Sequence, residues 1–251
     1  MIKSDLHTHT IYCDGKNTPE EMVISAIEKG LDEIGIATHS YFDNGIDSSW
    51  CIKPEKVSEF QAEINALKEK YRDKIKVLCG LEKDVFSSQS SAGFDYVIGS
   101  VHYFEVDGKF YSVDLSPEYF DKVVKEVFGG DYYLATENYF NLVSTVMEKT
   151  GADIIGHFDL IAKFNKNGRL FDESSIRYKK AYEKAIYHLL TYKKPFELNT
   201  GAINRGYQNR PYPNADMIKI IKENGGEIIL SSDSHSKENI AFEFSKWRKL
   251  L

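Results

Sequence analysis

A chain of 251 residues, 42% hydrophobic and 28% charged, has apolar material for one large α/β core or two small ones. Its net charge of −6 and the absence of a basic stripe argue against a nucleic-acid binder. The sequence has no run of about 18 or more apolar residues, so no membrane span is expected. Cys13, Cys51 and Cys79 are odd in number and lack CxxC spacing. That suits a reducing cytoplasm and argues against a disulfide framework or a thiolate zinc site. The first residues enter a strand pattern at once, so no signal peptide is expected, and a cytoplasmic enzyme is the expectation.

Along the chain, short β-branched runs alternate with longer helical patterns. The first strand, about 2–7, ends in Asp5-Leu6-His7-Thr8-His9. A helix over about 19–29 follows, with Thr18 as N-cap, Pro19 at the first helical position, Glu20 and Glu21 in the first turn, and Gly30 as its stop. A strand at about 33–38 ends in Thr38-His39, and a helix at about 54–71 begins after Lys53 with Pro54-Glu55. Strands at about 75–81 and 95–101 lead to Gly80-Leu81-Glu82 and Ser100-Val101-His102. Residues 103–116, containing Asp107-Gly108-Lys109, read as a small hairpin or loop on the face of the fold. Helices are expected at about 117–127 and 133–149, then a strand at about 153–157 that closes in Gly156-His157. A helix at about 174–192 and a strand at about 195–199 come next. The polar loop 200–213 is long enough to be functional. A helix at about 214–224, a strand at about 227–231 and a helix at about 237–249 complete the pattern, with Ser232-Asp233-Ser234-His235 after the last strand. Roughly seven β/α units predict a parallel sheet closed into a barrel, with no linker to divide residues 1–251 into domains.

The strand ends carry the chemistry. Residues i and i+2 of a strand point the same way, so His7 projects with His9 and Asp233 with His235. Alone, an HxH is a weak signal. It gains weight because His39, Glu82, His102 and His157 occupy matching strand ends and Asp14 follows the first. His188 lies inside a helical pattern and reads as an ordinary helix histidine. Cys13, beside Asp14, reads as a packing residue rather than a ligand. Imidazole and carboxylate donors accept Zn, Mn or Fe, and about nine of them suffice for two or three divalent ions, with Glu82 a natural bridge. Such a cluster suits hydrolysis of a phosphate ester, because paired cations activate water and hold phosphoryl oxygens. Asp233 and His235 are candidates to pass the proton to the leaving alkoxide, with Glu82 central to the chemistry. A phosphate also wants a cationic clamp, for which Arg169 and Arg205 are the candidates, Arg210 a third. Tyr41, Phe42, Tyr103, Phe158, Asn199 and Asn204 lie past strand ends, where a substrate pocket is built. A small phosphorylated substrate is the expected partner. Open alternatives are another phosphoesterase and a non-catalytic metal-binding module.

In order and over nearly the whole chain, Asp5-Leu6-His7-Thr8-His9, Asp14-Gly15, Thr38-His39, Gly80-Leu81-Glu82, Ser100-Val101-His102, Gly156-His157-Phe158-Asp159 and Ser232-Asp233-Ser234-His235 resemble the polymerase and histidinol phosphatase superfamily. Ile98–Tyr103, Asp107–Ser116 and His157–Asn165 resemble its monofunctional histidinol-phosphate phosphatases, enzymes of histidine biosynthesis. The resemblance implies a distorted (β/α)7 TIM-like barrel with a trinuclear metal site at the C-terminal strand ends. It implies one ion on His7, His9, Glu82 and Asp233. A second would sit on Glu82, His102 and His157, and a third on Asp14, His39 and His235. Ala37-Thr38-His39 departs from a common Thr-Asp-His but leaves the ligand in place.

Overall fold

The computed structural model describes residues 3–251; Met1 and Ile2, the latter at the expected start of the first strand, lie outside the described residues. The seven strands of one parallel sheet are β1 (Ser4–Thr8), β2 (Glu33–His39), β3 (Lys76–Asp84), β4 (Tyr96–Ser100), β7 (Ile154–Ile155), β8 (Phe196–Asn199) and β9 (Ile228–Ser231), side by side in chain order. Between β4 and β7, an antiparallel hairpin of β5 (Tyr103–Val106) and β6 (Lys109–Ser112) stands apart from the sheet. Its two-residue turn, Asp107-Gly108, has both φ angles positive, at 52° and 73°, the twist a tight hairpin needs.

The sheet curls until its edges meet. His9 N–H donates to the Ser234 carbonyl at 2.7 Å, and Ser234 N–H to the His7 carbonyl at 3.2 Å. Asp5 fastens the seam. Its buried carboxylate accepts Ser232 N–H at 3.0 Å, Ser232 Oγ–H at 2.5 Å and Ala241 N–H at 2.9 Å. The result is a nearly closed, distorted (β/α)7 barrel, as the strand pattern predicts. All strands run the same way, so their carboxyl ends share one rim.

The helices α1 (Pro19–Glu28), α2 (Val57–Tyr71), α3 (Pro117–Val127), α4 (Tyr132–Val143), α5 (Val146–Thr150), α6 (Ile176–Leu190), α8 (Ala215–Glu223) and α9 (Phe244–Trp247) cover the outside, while the single turn α7 (Gly201–Asn204) sits at the rim. Their starts follow the local chemistry. Thr18 and Glu21 form a reciprocal capping box, and Ser116, Asp131 and Asn214 accept first-turn N–H groups. Among the described residues, no helix is long and apolar enough to cross a membrane.

Two helix expectations need correction. The segment 133–149 breaks at Ser144-Thr145 into α4 and α5. The segment 237–249 is not one helix: positive φ at Ala241 and Glu243 leaves only α9 between short 3-10 turns. Asp5 draws the Ala241 N–H, and Lys29 Nζ donates to the Ile240 carbonyl at 2.8 Å, so the backbone there serves the barrel seam instead of a helix.

The barrel interior is filled beneath the rim. Tyr96 lies across β2 and β3 and hydrogen-bonds the Leu6 carbonyl. It fits because Gly35 and Gly80 have no side chains: a Cβ there would meet Tyr96 Oη at 2.0 and 2.3 Å. Gly80→Ala is therefore expected to destabilise the fold by about 1–3 kcal/mol through overpacking. Denaturant melts would show a lower midpoint at unchanged slope.

Candidate metal centre

Every ligand candidate sits at the rim. His7 lies in β1 and His9 one residue beyond it; His39 ends β2; Glu82 lies near the end of β3. His102 and His157 lie two residues past β4 and β7, and Asp233 and His235 lie two and four residues past β9. Asp14 enters from the β1–α1 loop.

Glu82 is the hub. His39 Nδ1 stands 2.7 Å, His7 Nε2 3.1 Å and His9 Nε2 3.4 Å from its Oε2. His157 Nε2 stands 2.8 Å and His102 Nε2 3.4 Å from its Oε1, which also accepts Ser100 Oγ–H at 2.8 Å. Five imidazoles thus converge on one carboxylate that is 2% exposed. On the outer side, Asp14 Oδ1 lies 3.4 Å from His39 Nε2 and 3.3 Å from His235 Nε2. Asp233 Oδ1 lies 3.6 Å from His9 Nε2 and 3.9 Å from His7 Nε2.

This arrangement fits divalent cations. Although close to neighbours, His7 Nε2, His9 Nε2 and Glu82 Oε2 have no aligned hydrogen-bond partner and no contact with water. Buried polar atoms left that way are costly, and a cation on their lone pairs removes the cost. Three groups could each hold an ion: His9, Asp14, His39 and His235; His7, His9 and Asp233; and His39, Glu82 and His102. They overlap at His9 and His39. A neutral imidazole gives one lone pair, so His39 must choose between Asp14 and Glu82. His157 stands outside these groups, although its Nε2 touches Glu82.

The clustered carboxylates and imidazoles stabilise one another's charged forms: burial would lower His7 and His39, but Glu197 and Glu82 beside His7, and Glu82 and Asp14 beside His39, raise both well above the usual imidazole range. Burial would raise Glu82, but His39, His7 and hydrogen bonds from His102 and His157 hold its carboxyl well below the ordinary range. Burial also would raise Asp233, which Arg205 and the surrounding histidines hold well below its ordinary value. Burial, with the fields of His39, His235 and His7, pushes His9 well below the usual imidazole range, so its lone pair is free.

The centre floors a cavity of about 1160 Å³. The hairpin contributes Tyr103, Gly108, Lys109 and Phe110 to its wall; Trp50, Asp114, Lys163, Asn204, Arg205 and Tyr207 line other parts. Trp50 meets His39 and His102 edge-on, with ring centres 4.6 and 5.4 Å apart.

Arg205, at the end of α7, enters the site. Its NH2 donates to Asp233 Oδ2 at 3.0 Å and its NH1 lies 3.1 Å from His235 Nδ1. Arg169 does not. It is exposed, beyond the left-handed turn at Asn167, and its field falls on Asp121 and Tyr132 on the outer surface. Sequence proximity to His157 suggested otherwise, but the turn carries the side chain away. Arg210 is spent on partly buried ion pairs with Asp159 at 2.9 Å and Glu173 at 2.8 Å. The cation missed from sequence is Lys163, six residues after His157 in the same loop and bonded to Asp114 Oδ2 at 2.9 Å. Of the suggested pocket residues, Tyr103 and Asn204 line the cavity; Tyr41, Phe42, Phe158 and Asn199 do not. Cys13 stands behind His9, with Sγ 3.5 Å from Nδ1. His188 pairs with Glu148 on an exposed helix face, away from the site.

A TIM-like barrel with imidazoles and carboxylates gathered at its C-terminal rim defines a class, the metal-dependent hydrolases. The chain belongs to the PHP domain family, which matches residues 5–201. The histidinol-phosphatase of Lactococcus lactis subsp. lactis is 29% identical, over 100% of this chain and 91% of its own length. The crystal structure of histidinol phosphate phosphatase from that organism, complexed with Zn, L-histidinol and phosphate, superposes with a TM-score of 0.74 at 25% identity, covering 99% of this chain and 92% of that one. The hisK protein of Listeria monocytogenes shares the fold with a TM-score of 0.84 at 23% identity, over 98% of this chain and 100% of that one.

Proposed function

We infer that this chain is a metal-dependent phosphomonoesterase that hydrolyses L-histidinol phosphate to L-histidinol and phosphate. The observation that carries the chemistry is the convergence of five imidazoles on buried Glu82 beneath an open, charged cavity. The substrate follows from the full-length similarity to histidinol-phosphatases. Residues 1–251 are proposed to act as one catalytic domain.

Two or three ions, of Zn, Mn or Fe, would be held by His7, His9, Asp14, His39, Glu82, His102, His157, Asp233 and His235. When bound, such ions supply Lewis acidity and an activated water for in-line displacement at phosphorus. The side chains do the rest. Arg205 reaches the cavity between Asp233 and His235 and can take a phosphoryl oxygen with its fork of donors. Of the two proton-carrier candidates, Asp233 stands against the cavity, where it could relay a proton through water to the leaving alkoxide. His235 is the less suited carrier. With Nε2 given to the Asp14 side, its Nδ1 is already engaged, 3.0 Å from the Asp233 carbonyl and 3.1 Å from Arg205 NH1. The leaving alkoxide of this substrate carries a cationic amine and an imidazole. Asp114 gives the cavity an anionic wall: burial would raise its carboxyl, but Lys163 and His102 hold it at about 2.

Phosphate release from histidinol phosphate, set against a panel of phosphate monoesters and diesters with Mn, Zn and Fe supplied in turn, tests this reading. Histidinol phosphate is expected to lead the panel. Faster diester cleavage would reassign the chain to another phosphoesterase activity, and a flat panel would favour a binding module.

A further inference from the structure

We propose that Glu197 is a positioning residue of the metal centre: it contacts no reacting group but sets the proton and orientation of His7 and anchors the backbone of His157. The inference rests on the ligand reading above. Among the described residues, β8 is the one barrel strand with no candidate ligand within it or within four residues of its end. It lies between the strands that carry His157 and Asp233, and it turns Glu197 and Asn199 inward instead. Glu197 is 1% exposed, too deep for substrate.

Both of its oxygens are used. Oε1 lies 2.7 Å from His7 Nδ1; Oε2 accepts the His157 backbone N–H at 3.0 Å and Asn199 Nδ2–H at 3.2 Å. The amide of Asn199 is fixed in turn, because its Oδ1 accepts Gly201 N–H at 2.9 Å. Its Nδ2 therefore faces Glu197 and, at 3.4 Å, Asp233 Oδ2. One carboxylate and its neighbouring amide thus touch three candidate ligands that come from three different strands.

The chemistry follows from acceptor counting. A cation on His7 Nε2 needs the lone pair there, so the ring proton must sit on Nδ1 and be donated to Glu197. His157 N–H and Asn199 Nδ2–H are donors as well. A carboxylate has two acceptor oxygens for these three donors; a glutamine has one, and its amide would face a donor. Glu197→Gln keeps the shape and loses one acceptor and the charge. Glu197→Asp keeps the charge but falls short of His7 by a methylene.

Two readouts are needed, metal affinity by chelator competition with Zn and Mn, and melting temperature with and without metal. Both variants are expected to bind metal about 10–100-fold more weakly. The rise in melting temperature on adding metal should shrink, while the stripped variants melt close to stripped wild type. Wild-type metal affinity in either folded variant would overturn the proposal. So would a loss confined to the melting of the stripped forms, because that is a packing role. If the wild-type chain binds no metal, the ligand reading fails first, and that outcome is distinct from a failure of Glu197 alone.

Discussion

Glu82→Gln is expected to lower turnover of histidinol phosphate by at least about 10³-fold, about 4 kcal/mol of transition-state stabilisation. The substitution is nearly isosteric, so the effect is one of charge and lone pairs. Among the described residues, Glu82 carries the only negative charge touching all of His7, His9, His39, His102 and His157. An amide offers one acceptor oxygen and turns its NH₂ toward nitrogens that would hold cations. Metal content should fall by at least one ion per chain, measured by elemental analysis beside the kinetics. A variant with full metal and wild-type turnover contradicts the assignment.

Arg205→Ala is the second large expectation. The guanidinium is held from both sides, by Asp233 Oδ2 at 3.0 Å and the Asp233 carbonyl at 3.3 Å. It is therefore pre-oriented where a phosphoryl oxygen would meet the cluster. Removing it takes away a charge-assisted contact and leaves buried Asp233 without its counter-ion. We expect kcat/KM to fall about 10²-fold or more, about 3 kcal/mol. Arg205→Lys should recover little, because a point charge cannot span both acceptors. Arg169→Ala, made as a control, should leave kcat and KM at wild-type values. Equal losses in Arg205→Ala and Arg169→Ala would contradict the placement of the clamp.

The barrel was legible because its signals are local. Most strands are short apolar, β-branched runs, and all but β8 lead to a histidine or acid at or just past the end, with i, i+2 spacing at His7/His9 and Asp233/His235. The hairpin was legible for the same reason, since Asp107-Gly108 is a turn written in two residues. What escaped the sequence depends on distance. The last segment carries a helical pattern, yet Ala241 N–H is taken by Asp5 from the other end of the chain. Arg169 stands near His157 in sequence, and two consecutive left-handed residues, Asn167 and Gly168, send it outward. Glu197 was hidden because an acid inside an apolar strand can face either way until its neighbours are placed. Lys163 had a fainter signal, a cation in the loop that follows a ligand strand.

On the function proposed above, divalent metal bound at this rim makes the chain a histidinol-phosphate phosphatase. The most direct measurement is phosphate release from histidinol phosphate by chain stripped with a chelator, then by the same chain reloaded with Zn, Mn or Fe. The stripped chain should be inactive, with activity returning as two or three ions are taken up. Undiminished hydrolysis by a chain shown to be metal-free, or none after full reloading, would contradict the account.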